Sequence, residues 1–178
     1  MKKLISTGIV LSTLFVSISS YKKDNTSTTG TSGNNANDIN VSTNATFGKY
    51  LSNKQGLTLY IFANDADGVS SCTGDCKSLW PPFTTDLSTA KLDAGLAAAD
   101  FGTITIASGK KQVTYKGWPL YTYSPSVDDG YGNTTNRAET AGSTTGDGVA
   151  GLWFIAKPDY TIMLANKQLT GLEGNNYK

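Results

Sequence analysis

Three textures of hydrophobic and polar positions succeed one another along the chain. Leu4 to Ile18 (LISTGIVLSTLFVSI) is mostly apolar, Asp24 to Thr46 (DNTSTTGTSGNNANDINVSTNAT) is almost wholly polar, and from residue 47 short apolar runs alternate with Gly/Asp-rich breaks. Short runs rich in aromatic and β-branched residues between such breaks predict strands. Around Leu57–Ala63 both alternating faces are apolar, with Leu59 and Ile61 on one and Tyr60 and Phe62 on the other, which predicts a central strand covered on both sides. Further strands are expected at 103–107, 111–115, 152–156 and 160–165. Helical character is confined to Thr89–Ala99, interrupted by Gly95, where a short helix or two turns is expected. Asp128–Gly151, rich in Gly, Thr and Asn, reads as a long loop.

The pattern repeats. Gly56-Leu57-Thr58-Leu59-Tyr60-Ile61-Phe62 aligns with Gly117-Trp118-Pro119-Leu120-Tyr121-Thr122-Tyr123, and each is followed by an Asp/Gly-rich loop and a tryptophan, Trp80 and Trp153. Each glycine follows a short strand and suits a tight turn at positive φ. Met163 to Gln168 weakly echoes Tyr50 to Gln55, so a closing strand at about 159–168 is expected. The fold class is therefore all-β or β-dominated: one small domain over 47–178, made of two pseudo-symmetric hairpin-based repeats (about 47–83 and 110–157) with one short helix. In the second repeat Leu120 alternates with Thr122, so one of its faces is expected to be wet.

The amino-terminal textures are an address. Met1-Lys2-Lys3 ahead of an apolar stretch too short to span a bilayer comfortably is the layout of a signal peptide, expected over 1–20. Residues 21–46 lack the apolar residues to offset ordering entropy and are expected to form a disordered polar tether. Ile18-Ser19-Ser20 resembles the residues before a lipobox cysteine, but that position holds Tyr21, which has no thiol to acylate. Two explanations stand: a lipoprotein in which tyrosine replaces the cysteine, or a soluble form cut after Ser20.

Charge and composition narrow the function. The chain has 15 basic and 14 acidic residues. Loss of Lys2 and Lys3 with the signal leaves the mature protein slightly acidic, with Arg137 its single arginine. No basic patch points to nucleic acid. Histidine is absent, which removes the commonest general base and transition-metal ligand. No catalytic constellation and no cofactor are expected, and the chain reads as a non-enzymatic module.

Tyr60-Ile61-Phe62-Ala63-Asn64-Asp65, followed by Gly68, Ser70, Cys72, Gly74, Cys76 and Trp80-Pro81-Pro82, resembles the secreted-repeat lipoproteins of unknown function. Their tandem repeats carry a Y-x-[FWY]-x-x-D (Y-x4-D) motif. Gln112 to Gly117 and Pro119 to Tyr123 resemble a second copy, in which Ser126 occupies the motif aspartate's place and Asp128 and Asp129 lie nearby. The resemblance implies export and a repeat architecture, and no activity. The motif residues it marks are Tyr60, Phe62, Asp65, Gly68, Trp80, Tyr121 and Tyr123.

Each remaining feature has a structural and a chemical reading. Cys72 and Cys76 would be about 13 Å apart in extended chain and about 6 Å apart across a helical turn, within disulfide reach. In an oxidising envelope that spacing favours a disulfide pinning a loop; a redox-active pair is the alternative. Asp65-Ala66-Asp67-Gly68 and Asp128-Asp129-Gly130 favour turns, with a cation held by Asp65 and Asp67 as the rival. The aromatic residues are expected to be core, with Trp118 and Tyr123 as candidates for a ligand surface. Together these give an exported envelope or secreted module that binds an unidentified ligand or envelope partner. It would meet the membrane only through a lipid anchor, if position 21 were cysteine. An envelope redox accessory using Cys72 and Cys76 is the alternative.

Tyr21→Cys is expected to complete a lipobox. In a competent bacterial host the variant should move to membrane fractions and incorporate labelled fatty acid; a soluble, unlabelled product would refute the lipoprotein explanation.

Overall fold

A computed structural model describes residues 36–159 and the short strands at 169–170 and 176–177. The chain begins with a hairpin of β1 (Ile39–Asn44) and β2 (Gly48–Asn53), paired in register from Ile39 opposite Asn53 to Asn44 opposite Gly48. It turns at Gly56, where φ is +78°, and enters β3 (Tyr60–Phe62). Past a loop comes α1 (Cys76–Leu79), the one α-helix among the described residues. A second hairpin, β4 (Phe101–Thr105) and β5 (Lys111–Tyr115), is joined by β6 (Trp118–Pro119) after the turn at Gly117, where φ is +86°. Then come the small hairpin β7 (Ser126–Asp128) and β8 (Thr134–Asn136), and β9 (Trp153–Ile155). β10 (Leu169–Thr170) and β11 (Asn176–Tyr177) pair with each other.

The centre of the domain is a cross-pairing of the two repeats. β3 pairs antiparallel with β9, and on its other side Tyr60 bridges to Tyr121, which bridges in turn to Pro82. Tyr60 and Tyr121 exchange both backbone hydrogen bonds at 2.9 Å. The lateral order is therefore β9, β3, the segment around Tyr121, and the segment around Pro82, so neighbours always come from different repeats. The hydrogen bonds around this pair also come in twos. Leu51 N–H bonds Ala156 O as Val113 N–H bonds Phe83 O, and Ala63 N–H bonds Leu152 O as Ser124 N–H bonds Leu79 O. These matched bonds describe a pseudo-two-fold axis through the Tyr60–Tyr121 pair.

β3 divides the core as its alternation predicts. Leu59 and Ile61 join Ile39, Leu51, Val113 and Leu120 on one side, while Tyr60 and Phe62 join Trp80, Tyr121 and Trp153 on the other. The face of repeat two expected to be wet is only half so: Leu120 and Tyr121 are fully buried, and Thr122 and Tyr123 half-buried.

Four expectations need correction. The fold begins before residue 47: β1 lies within the segment read as tether, and Ile39 is fully buried, with its carbonyl accepting from Asp93 N–H. Two apolar residues in a polar run were enough, because the hairpin supplied the partner strand. Repeat two likewise begins with β4, before residue 110. Residues 89–99 form turns and a 3₁₀ turn at Ala98–Asp100 instead of a helix. There Lys91 O and Asp93 N–H pair with the backbone of 38–39, a bonding that holds the segment extended. The helix sits at Cys76–Leu79 instead. The long loop of 128–151 contains part of the β7–β8 hairpin. The signal segment, Tyr21 and most of the closing strand expected at 159–168 lie outside the described residues.

A protein beginning at residue 36 is expected to fold, and one beginning at residue 47 to lose near-UV circular dichroism and cooperative melting. Within the longer protein, Ile39→Ala should cost about 2–5 kcal/mol in denaturant titration, the usual range for truncating a buried aliphatic side chain.

Candidate functional site

Asp65 opens the turn that follows β3, and its side chain is 0 % exposed. Its Oδ1 accepts from Ser71 N–H at 2.8 Å and Ser71 Oγ–H at 2.6 Å, and its Oδ2 accepts from Tyr121 Oη–H at 2.5 Å. The motif carboxylate of repeat one therefore holds the motif tyrosine of repeat two.

The reciprocal contact exists with a residue that the sequence did not single out. Glu139 Oε1 accepts from Tyr60 Oη–H at 2.7 Å, and its Oε2 accepts from Thr145 N–H at 3.2 Å and Thr145 Oγ1–H at 3.0 Å. Both carboxylates are buried. Each serves the backbone N–H and hydroxyl of the residue six positions later and the tyrosine of the other repeat. Glu139, and neither Ser126 nor Asp128 nor Asp129, is the second motif carboxylate. The signal was present as Asp65-x-x-Gly68-x-x-Ser71 against Glu139-x-x-Gly142-x-x-Thr145, with positive φ at both glycines. It was displaced by the β7–β8 hairpin, which is inserted between Tyr123 and Glu139.

Between the two pairs stand stacked rings. Trp80 and Trp153 lie parallel with centroids 3.8 Å apart, Phe62 stacks on Trp153 at 4.2 Å, and Tyr123 stacks on Trp80 at 4.3 Å. The column Phe62–Trp153–Trp80–Tyr123 thus alternates repeats and obeys the same two-fold. Tyr121 meets Trp153 edge-on at 5.1 Å, and Tyr60 meets Trp80 edge-on at 5.4 Å. Gly146 makes room: a Cβ there would come within 2.8–2.9 Å of the Tyr60 and Trp80 rings. Its N–H donates to Tyr60 Oη at 3.2 Å, where repeat one uses Ser70 Oγ against Tyr121 Oη at 2.9 Å.

The electrostatics follow from burial. Desolvation pushes both carboxyls above their ordinary values, and the donated hydrogen bonds pull each part of the way back. Burial, then the adjacent carboxylate, pushes Tyr60 and Tyr121 well above the usual phenol range. All four groups are buried, and the open cavities of about 570, 490 and 310 Å³ are lined by other residues.

Of the other sequence candidates, Cys72 and Cys76 form a disulfide with Cα atoms 5.4 Å apart. It closes the loop that follows Ser70 and Ser71. Asp67 Oδ1 accepts from Val69 N–H, while both carboxylate oxygens of Asp65 accept from Ser71 and Tyr121. No cluster of three or more metal-ligating side chains occurs among the described residues. Trp118 packs against the Leu59 side of the core and Tyr123 against the Tyr60 side, so they form no shared surface.

These features define the class: a β-dominated module of two cross-paired repeats, each closing its partner's tyrosine with its own carboxylate. Residues 41–84 and 102–133 match the family model of a secreted repeat of unknown function, one segment in each half of the cross-paired fold. The second match ends inside the inserted hairpin, before Glu139 is reached. The family's description as secreted agrees with the export expected from the amino-terminal segment. No curated protein and no solved structure matches the chain.

Asp65→Ala and Glu139→Ala should each cost about 1–3 kcal/mol for every buried donor left unpaired, while Asp65→Asn and Glu139→Gln keep an acceptor and should cost less. The folded carboxyls hold protons more tightly than the unfolded ones. Their contribution is therefore largest below the ordinary carboxylate range, falls as pH rises through the raised folded values, and is flat above them. Melting temperatures across pH should show this decline in the wild type and a weaker one in Asp65→Asn/Glu139→Gln.

Proposed function

We propose that the domain is a non-enzymatic recognition module displayed in the bacterial envelope or secreted, with the inserted β7–β8 hairpin as its contact element. One observation carries this reading: the hairpin lies outside the two-fold frame and presents an aromatic ring at its tip, Tyr131, which is 90 % exposed. The strands on either side of that tip are exposed throughout.

The tip is built to hold a shape. Asp129 Oδ1 accepts from Tyr131 N–H at 2.8 Å and Asn133 N–H at 3.2 Å, and its Oδ2 accepts from the Asn133 side-chain amide at 3.0 Å. Asp128 Oδ1 accepts from Gly130 N–H at 2.8 Å. These bonds hold the Asp129 carboxyl below its ordinary value. A tip ordered in advance loses less entropy on binding. An exposed ring among amide, hydroxyl and carboxylate groups suits a glycan, whose apolar faces stack on aromatic rings while its hydroxyls bond polar neighbours.

In this reading Cys72–Cys76 is a structural pin. Cys72 is 1 % exposed and directly follows Ser70 and Ser71, whose hydroxyls meet Tyr121 and Asp65.

Wild type, Tyr131→Ala and Asp129→Ala should be compared on immobilised peptidoglycan, lipopolysaccharide and a glycan array. The wild type is expected to bind a glycan, and Tyr131→Ala to lose about tenfold in affinity, equivalent to about 1.4 kcal/mol, with its melting temperature unchanged. No glycan binding, or equal binding by Tyr131→Ala, would overturn the reading.

A further inference from the structure

The buried centre carries more chemistry than packing needs. Two apolar residues in place of Asp65 and Glu139 would fill the same space without the desolvation penalty that buried carboxylates incur. The domain instead keeps two tyrosine–carboxylate pairs in edge contact with a parallel pair of indoles. Tryptophan and tyrosine are the side chains most readily oxidised by one electron, apart from sulfur. An indole radical cation is delocalised by a second indole stacked on it, here at 3.8 Å. A phenol gives up an electron readily only when its proton has somewhere to go, and here Tyr60 and Tyr121 each donate a hydrogen bond to a carboxylate.

We propose that the Trp80–Trp153 stack and the two tyrosine–carboxylate pairs form an internal sink for strong one-electron oxidants, of the carbonate radical class. The oxidant takes one electron from the tryptophan pair through the Tyr123 end of the column and becomes its anion, leaving an indole radical cation. Tyr121 or Tyr60 then returns one electron to the indoles while its phenolic proton crosses to Asp65 Oδ2 or Glu139 Oε1. The net change is oxidant radical plus phenol plus carboxylate giving oxidant anion, neutral tyrosyl radical and carboxylic acid. Atoms and charge balance without a further reagent.

The geometry gives the route a direction. Tyr123, at one end of the column, is half-buried, whereas the other three residues of the column are buried. Phe62, which is hard to oxidise, caps the other end. Burial makes both carboxyls better proton acceptors than exposed ones and makes both phenols reluctant to lose a proton alone. The proton therefore moves with the electron. This activity is independent of the hairpin, which lies outside the column.

The test uses the purified protein, with ruthenium(III) tris-bipyridine generated by a light flash as the oxidant, followed by freeze-quenching and electron paramagnetic resonance. Ring-deuterated tyrosine and tryptophan identify the radical's residue type. A tryptophan signal is expected first, giving way to a tyrosyl signal that survives Tyr131→Phe and disappears in Tyr60→Phe/Tyr121→Phe. In Asp65→Asn/Glu139→Gln, tyrosyl formation should slow about a hundredfold, the low end of what a positioned proton acceptor contributes. A tyrosyl signal abolished by Tyr131→Phe, or formed equally fast in the carboxamide variant, would overturn the proposal. Should the double phenylalanine variant fail to fold, these last two measurements still decide.

Discussion

The backbone pair between Tyr60 and Tyr121 is the constraint on which the rest of the molecule depends. Each central segment gives its N–H and C=O to the other repeat, so neither can satisfy its buried backbone by itself. The same exchange fixes the side chains. With the two strands in antiparallel register at this residue pair, each tyrosine projects toward the loop that ends the opposite strand, and there meets the carboxylate that opens it. A slip of one residue would send Tyr60 and Tyr121 to the aliphatic side and Leu59 or Ile61 to the tryptophans. The hydroxyl–carboxylate bonds thus pin a register that hydrophobicity alone, being high on both faces, would leave weakly specified.

Around this centre the repeats have diverged where the two-fold allows. Repeat one follows its carboxylate loop with the Cys72–Cys76 disulfide, while repeat two places Gly146 against the Tyr60 and Trp80 rings at the position matching Cys72. A disulfide restrains a loop covalently, whereas a glycine lets backbone approach ring and substitutes an N–H for the serine hydroxyl. Repeat two also carries the β7–β8 hairpin at a point where repeat one passes directly from strand to carboxylate. Insertions are tolerated at such exposed turns because closing a longer loop costs little more than closing a short one, and new recognition surfaces commonly arise there.

Burying the ionisable groups incurs a desolvation cost. Two carboxylates and two phenols sit away from water, and their mutual hydrogen bonds with Ser71, Thr145, Ser70 and the Gly146 N–H meet most of that demand. Buried hydrogen-bonded networks of this kind specify one arrangement more than they stabilise it. A domain built from two similar halves needs such specification, since pairing each half with itself competes with pairing it with its partner.

Local pattern was enough to read the strand content, the doubled Gly-x-x-Leu-Tyr segment, the two-faced burial of β3 and the Cys72–Cys76 bond, because each follows from spacing within a few residues. Asp65 and its turn were legible for the same reason. Glu139 was not: an insertion displaced it from the motif's spacing, and only the folded chain brings it to Tyr60, 79 positions away in sequence. Ile39 was hidden in a polar run because its strand is made by a partner and not by composition. Residues 89–99 looked helical until long-range pairing with 38–39 drew them out. Sequence by itself determined which residues favour strands and turns and which need burial. The tertiary structure decided which repeat each strand pairs with and which carboxylate each tyrosine reaches, because those contacts join residues that only the two-fold cross-pairing brings together.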